Sequence, residues 1–168
     1  MPGRQESKED SALISAAYKE VFVGCKAKDW SAYRLAEPLL TCWAVVKAQE
    51  VTYNCGFQYF FENDWPDKPN YRVFIDAFRR IGADEAAMWL EEAVDQFPFS
   101  DPHLHYERRR EHLSASRSKP GTCDSVIDGL GNRLGDLGGD TYTKLAAYIR
   151  ANIDAFPSAR FAATQKPV

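Results

Sequence analysis

Hydrophobic residues recur at helical spacing along most of this chain, and no long section alternates as a half-buried strand would. Leu13, Ala16, Ala17 and Val21, with Glu20 and Gly24 beside them, predict a first helix over residues 11–24. A connector containing Trp30 follows at 25–34. Leu39, Leu40, Trp43 and Val46 then repeat behind Pro38, whose missing N–H costs nothing in a first helical turn. The predicted helix is 37–52. Asn54 and Gly56 both tolerate positive φ and should end it. Phe57, Tyr59, Phe60 and Phe61 should drive a further short helix into the core, because the adjacent Phe60 and Phe61 do not fit strand alternation. Residues 63–70, with two prolines, read as a loop.

The pattern is clearest next. Tyr71, Phe74, Ile75, Phe78 and Ile81 form one apolar stripe, with Arg72, Asp76, Arg79 and Arg80 on the other side. Gly82 breaks that helix, and 83–97 makes another. At about 100° per residue, Trp89, Leu90, Ala93, Val94 and Phe97 lie together. Asp84, Glu85, Glu91, Glu92 and Asp95 share the opposite arc, with no Lys or Arg in the same helix. Beyond it, Glu107–Leu113 predicts one or two helical turns. Six glycines punctuate 121–139, and that region reads as loop. Thr141 is placed to cap a last helix with Tyr142, Leu145, Ala146, Ile149 and Ile153 on its inner side. The expectation is an all-α fold of about 55–60% helix, well above the ordinary third. It is one domain over 11–156, between a disordered segment 1–10 and a flexible tail 157–168.

Composition fits this picture. The chain has 168 residues, enough for one real core, and 13% of them are aromatic rings that mostly bury. No apolar run approaches a membrane span, and the polar N-terminus lacks a signal segment, so a cytoplasmic location is expected. Cys25, Cys42, Cys55 and Cys123 are too far apart for a zinc knuckle or a CxxC motif and are expected as free thiols. The net charge of −3 is unevenly placed. Residues 1–101 carry 17 acidic against 11 basic side chains, and 102–168 carry 7 against 10. This balance does not describe a nucleic-acid binder and leaves room for an acidic face that docks on a basic partner.

Catalytic motifs are missing: the sequence has no GxSxG, HExxH or phosphate-binding loop. His103, His105 and His112 offer metal ligands, with Cys123 as a conceivable addition, but a zinc site needs more ligands in fixed geometry. They read as isolated histidines, and neither a metal nor a cofactor is expected. The glycine-rich GLGNRLGDLGG lacks the Lys-Ser/Thr ending of a phosphate loop, although its backbone could cradle an anion. It reads as a flexible connector. Arg108, Arg109 and Arg110 point in different directions on a helix and are flanked by Glu107 and Glu111. They read as surface salt-bridge formers, with a nucleic-acid backbone as the weaker alternative. The chain therefore reads as non-catalytic, with an enzyme kept as an alternative because catalytic groups can converge from distant positions.

Glu50-Val51, Asn54-Cys55-Gly56-Phe57, Gln58-Tyr59-Phe60-Phe61 and Asn63 resemble the signature of the bacterial DNA-mimic protein domain family. In that family an acidic residue and Val precede Asn-Gly-Gly-Phe, a Gln, an aromatic pair and an Asn. Ala77–Ala83, ending Ile-Gly-Ala, and the alanine-rich acidic helix from Asp84 to Phe97 resemble its later segments. The resemblance spans residues 35–156 and is most specific over 50–97. It implies an all-α fold and no established enzymatic activity. For at least one member it implies a homodimer whose carboxylates imitate DNA phosphates and occupy a DNA-binding protein. Cys55 stands where the family has its first Gly, and a charge of −3 is modest for such a mimic. The expected function is a protein-binding module that offers Asp84, Glu85, Glu91, Glu92 and Asp95 to a basic partner, either a DNA-binding protein or, in the alternative reading, a toxin that the chain masks as an immunity or antitoxin-like protein. The signature stretch itself reads as a structural corner, with a pocket of Asn and Gln amides as its functional alternative.

Overall fold

The Ser7 hydroxyl accepts the Asp10 backbone N–H at 3.0 Å and so caps the first helix, α1 (Lys8–Ala27). The computed structural model describes residues 7–28, 31–117 and 126–164. Among these residues 79% are helical and none is in a strand. After α1 come α2 (Leu39–Glu62), α3 (Arg72–Arg80), α4 (Asp84–Val94), α5 (Tyr106–Arg117), α6 (Val126–Asp136), α7 (Gly138–Ala151) and α8 (Pro157–Thr164). Short 3-10 turns sit at Ala32–Arg34, Pro102–Leu104 and Ile153–Ala155. The all-α expectation holds, with helix covering more of the chain than the sequence pattern indicates.

Helix α2 is the centre of the molecule, packing against α1, α3, α5, α6 and α7. It bends at Gly56, whose φ of 76° and ψ of 171° interrupt the helical backbone. This is the turn expected at Asn54-Gly56, but the helix resumes at once instead of ending. Beyond the bend Phe57, Phe60 and Phe61 are fully buried, and the latter two meet edge to face at 5.1 Å. Tyr59, expected in the core with them, is half exposed, because it falls on the outer side of the resumed helix. Trp65 closes the corner by donating its indole N–H to the Phe60 carbonyl at 2.9 Å.

The α3–α4 hairpin follows its predicted stripe. Phe74, Ile75, Ala77 and Phe78 of α3 are buried, as are Ala86, Ala87, Leu90 and Ala93 of α4. Gly82, at φ 77°, joins them in a Schellman turn: Ala83 N–H bonds Phe78 O at 2.8 Å and Gly82 N–H bonds Arg79 O at 2.9 Å. Trp89 and Val94, expected in the core, are only half buried.

Four expectations need correction. Residues 126–136 are not a flexible connector but α6, with Ile127, Leu130 and Leu134 in the core. A Cβ on Gly131 would lie 2.9 Å from the Phe57 backbone N, so this glycine lets α6 approach the bend in α2 directly. The part of the glycine-rich region at 121–125 lies outside the described residues. The tail expected from 157 starts as α8, packed on α1. Pro157 occupies its first position, and Glu20 of α1 accepts the Ser158 N–H and hydroxyl, replacing partners that a helix start lacks. Residues 165–168 lie outside the described residues. Of the segment 1–10 expected to be disordered, residues 8–10 belong to α1, and buried Asp10 binds Arg150 at 2.6 Å. Thr141 does not cap α7 but is buried within its first turn.

Candidate functional site

Helix α4 is anchored on α3 and α6 by small residues and Leu90, which leaves its outer side free of core duties. Asp84, Glu85, Glu92 and Asp95 are exposed there and make no ion pair with the described residues. Asp84 and Glu85 occupy the first turn, where the helix dipole favours negative charge. Glu91 differs from the other four. Its side chain is 33% exposed and is gripped by Arg72 at 3.1 Å and Arg79 at 2.5 Å. The expectation of five carboxylates without a local cation therefore fails at Glu91. The cations come from α3, because the Gly82 turn lays the arginine side of that helix against the side of α4 that carries Glu91. The arrangement of two helices, not the composition of one, decides the pairing.

The same face contains a residue that the charge pattern overlooks. Met88 is 52% exposed, one helical turn from Asp84 and one from Glu92. Its signal in the sequence was an apolar side chain on the polar arc. An exposed thioether between unpaired carboxylates combines an adaptable apolar contact with charge.

The signature residues divide by depth. Phe57, Phe60 and Gln58 are buried; Asn54 and Cys55 are exposed. Glu50 pairs with Lys47 at 2.7 Å, and Asn54 donates its amide to the Glu50 carbonyl at 2.7 Å. The Asn63 carbonyl accepts from Arg109 at 3.1 Å.

That last contact overturns, for Arg109, the reading of Arg108–Arg110 as surface salt-bridge formers. Arg109 is 1% exposed. Its guanidinium donates to the carbonyls of Phe61 (2.8 Å), Pro102 (2.5 Å), His103 (3.0 Å) and Asn63 (3.1 Å). It thereby ties the end of α2 to the turn before α5. Arg108 lies over the Phe99 ring at 4.2 Å, and Arg110 over Tyr106 at 5.5 Å. The three arginines therefore do not form a cationic strip.

His103 packs on Tyr71, His105 on Phe99 and His112 on Phe97. Burial lowers the pKa of His103, against the pull of the Asp101 carboxylate. Among the described residues no group of three or more His, Cys, Asp or Glu is placed to hold a metal ion. Cys25, Cys42 and Cys55 are free thiols; burial pushes Cys42 up to about 12, which keeps it protonated. Cys123 lies outside the described residues. Among those residues no helix is long and apolar enough to cross a membrane.

Residues 33–152 match the family model described as DMP19-like protein. No curated protein and no solved structure matches the chain.

Proposed function

The chain belongs to the DMP19-like protein family, consistent with the DNA-mimic family its signature resembles, and on that premise we propose that it is a protein-binding module whose α4 face docks on a basic, DNA-binding partner. The observation that carries this reading is the stripe Asp84, Met88, Glu92 and Asp95. Three carboxylates with no ion pair among the described residues surround one exposed apolar side chain, on a helix whose opposite side is fixed in the core. Carboxylates at this spacing can stand in for phosphates and steer a cationic surface, while Met88 gives the contact an apolar centre. Glu91 does not contribute, because α3 already neutralises it. The working charge is therefore local, and a net charge of −3 does not oppose it.

Affinity capture from native lysate tests the reading. The wild-type chain is compared with D84N/E92Q/D95N and with M88S, each at low and high salt. A basic DNA-binding protein should be retained at low salt, released by salt and by competing duplex DNA, and lost with both variants. All the substitutions are at exposed positions, so the unfolding free energies should stay within about 0.5 kcal/mol of wild type. Equal capture by all three proteins would leave α4 as an ordinary solvated surface. A captured toxin that DNA does not displace would replace the mimic with the toxin-masking alternative.

A further inference from the structure

A cavity of about 370 Å³ opens between α1, the middle of α2 and the segment that follows α2. That is the size of a small-molecule site, and it shares no residue with the α4 face. Two of its walls are indole rings held from behind. Trp65 donates its N–H to the Phe60 carbonyl at 2.9 Å and packs on Phe60 and Phe74, each at 5.2 Å. Trp43 lies 5.4 Å from Phe74 and meets Trp65 edge to face at 6.3 Å. The cavity thus has aromatic surface already in place.

Its polar groups are unspent and open to solvent. Tyr18, Trp43 and Asn63 all line it, and all three are partly buried. The Tyr18 hydroxyl, the Trp43 indole N–H and the Asn63 side-chain amide make no hydrogen bond, and none of them is sealed away from water. Burial, with the Glu50 carboxylate nearby, pushes the Tyr18 phenol up, so it stays protonated and remains a donor.

Lys47 supplies charge to the same lining. Its ammonium lies 5.7 Å from the centre of the Tyr18 ring and gives one N–H to Glu50 Oε2 at 2.7 Å, which leaves two donors. Among the described residues no carboxylate lines the cavity. Aromatic surface, free donors and one cation suit a ligand with a flat apolar body and an acidic end. An ammonium already shared with Glu50 suits a single negative charge better than a phosphate dianion.

We infer that this cavity binds an aryl carboxylate. The ring lies against Trp43 and Trp65, in the offset or edge-to-face contacts that aromatic pairs favour. The carboxylate accepts from Lys47 and from the Tyr18 hydroxyl.

Titration of the full chain with indole-3-acetate, indole, tryptamine, acetate and octanoate, followed by ¹⁵N NMR, tests this. Indole-3-acetate should give saturable shifts of the Trp43 and Trp65 indole N–H signals and leave that of Trp89, on α4, unmoved. Indole lacks the acid, and octanoate lacks the ring; each should bind about tenfold more weakly. Acetate and tryptamine should not saturate. K47M should reduce indole-3-acetate to the affinity of indole. E50Q removes the competitor for the ammonium and should bind indole-3-acetate about threefold more tightly. Both side chains are more than a third exposed, so both variants should fold as wild type does. Absence of saturable shifts with indole-3-acetate would rule out the site. Unchanged affinity in K47M, weaker binding in E50Q, or tryptamine binding as tightly would overturn the acid. Octanoate or acetate binding as tightly would overturn the aromatic body.

Discussion

The α3–α4 hairpin and the α5–α6 region both pack on the bent helix α2, yet they are held in different ways. The hairpin rests on a continuous apolar stripe, and its charged groups meet outside the core, in the Arg72–Glu91–Arg79 contacts. In the other region two special residues add to the packing of Leu113, Ile127, Leu130 and Leu134. Arg109 enters the interior to bind four carbonyls, and Gly131 lets α6 touch the backbone of the bend. Distributed packing tolerates single changes; concentrated attachment does not. It also separates tasks, since the hairpin can vary its outer face for binding without disturbing what holds it.

The largest expected effect is at Arg109. Arg109→Ala should cost about 3–5 kcal/mol, because buried carbonyls lose a charged donor worth roughly 1.5–3 kcal/mol per bond, without full additivity. Arg109→Lys should recover only part, since an ammonium cannot reproduce the planar fork that reaches four acceptors. Arg108→Ala and Arg110→Ala, which remove exposed side chains beside the same position, should stay within about 1 kcal/mol. Urea melts of the four variants give the ranking. Similar losses at 108, 109 and 110 would contradict an interior role confined to Arg109.

Gly131 comes next. An added methyl meets backbone at 2.9 Å and cannot be accommodated by a rotamer change, so Gly131→Ala should destabilise by about 1–3 kcal/mol. Gly129 lies in the same helix with open space around it. Gly129→Ala should be neutral or stabilising by up to about 1 kcal/mol, through helix propensity alone. Opposite signs for two glycines two residues apart would isolate close approach from propensity. Equal signs would mean that propensity governs both and that α6 can shift away from Phe57.

The contrast explains which parts were legible in the sequence. A stripe such as Tyr71, Phe74, Ile75 and Phe78 is a local signal, because the helix that displays it also uses it. Gly56 was legible for the same reason: the backbone conformation it permits belongs to its own position. Arg109 was not, since its partners lie 46 and 48 residues away as well as six and seven. In α6 the apolar signal was present at Ile127, Leu130 and Leu134, but the intervening glycines resembled turn punctuation. Only the position of Phe57 shows why Gly131 belongs in that helix. At the candidate docking face the carboxylates were visible and their pairing was not. Separating Glu91 from Asp84, Glu85, Glu92 and Asp95 requires knowing that α3 delivers Arg72 and Arg79.

That separation yields the smallest expected effect. If the hairpin is held by its stripe, the Glu91 ion pairs are accessories: all three side chains are about a third or more exposed, and solvent screens such pairs to about 0–1 kcal/mol. Glu91→Gln should therefore lower stability only slightly at low salt, and the difference should shrink as salt rises. Its effect on partner binding is sharper in sign. Removing Glu91 leaves Arg72 without that partner and Arg79 with Asp76 alone at 3.7 Å, beside the acidic stripe, so a cationic partner should associate more slowly even though Glu91 itself makes no contact with it. Glu91→Gln combined with Arg72→Gln and Arg79→Gln removes those cations and should restore the association rate to wild type or above. Urea melts at two salt concentrations, paired with stopped-flow association, measure both halves. A loss from Glu91→Gln as large as that from Arg109→Ala would show that charge, not the apolar stripe, pins the hairpin, and the distinction between distributed and concentrated attachment would fail.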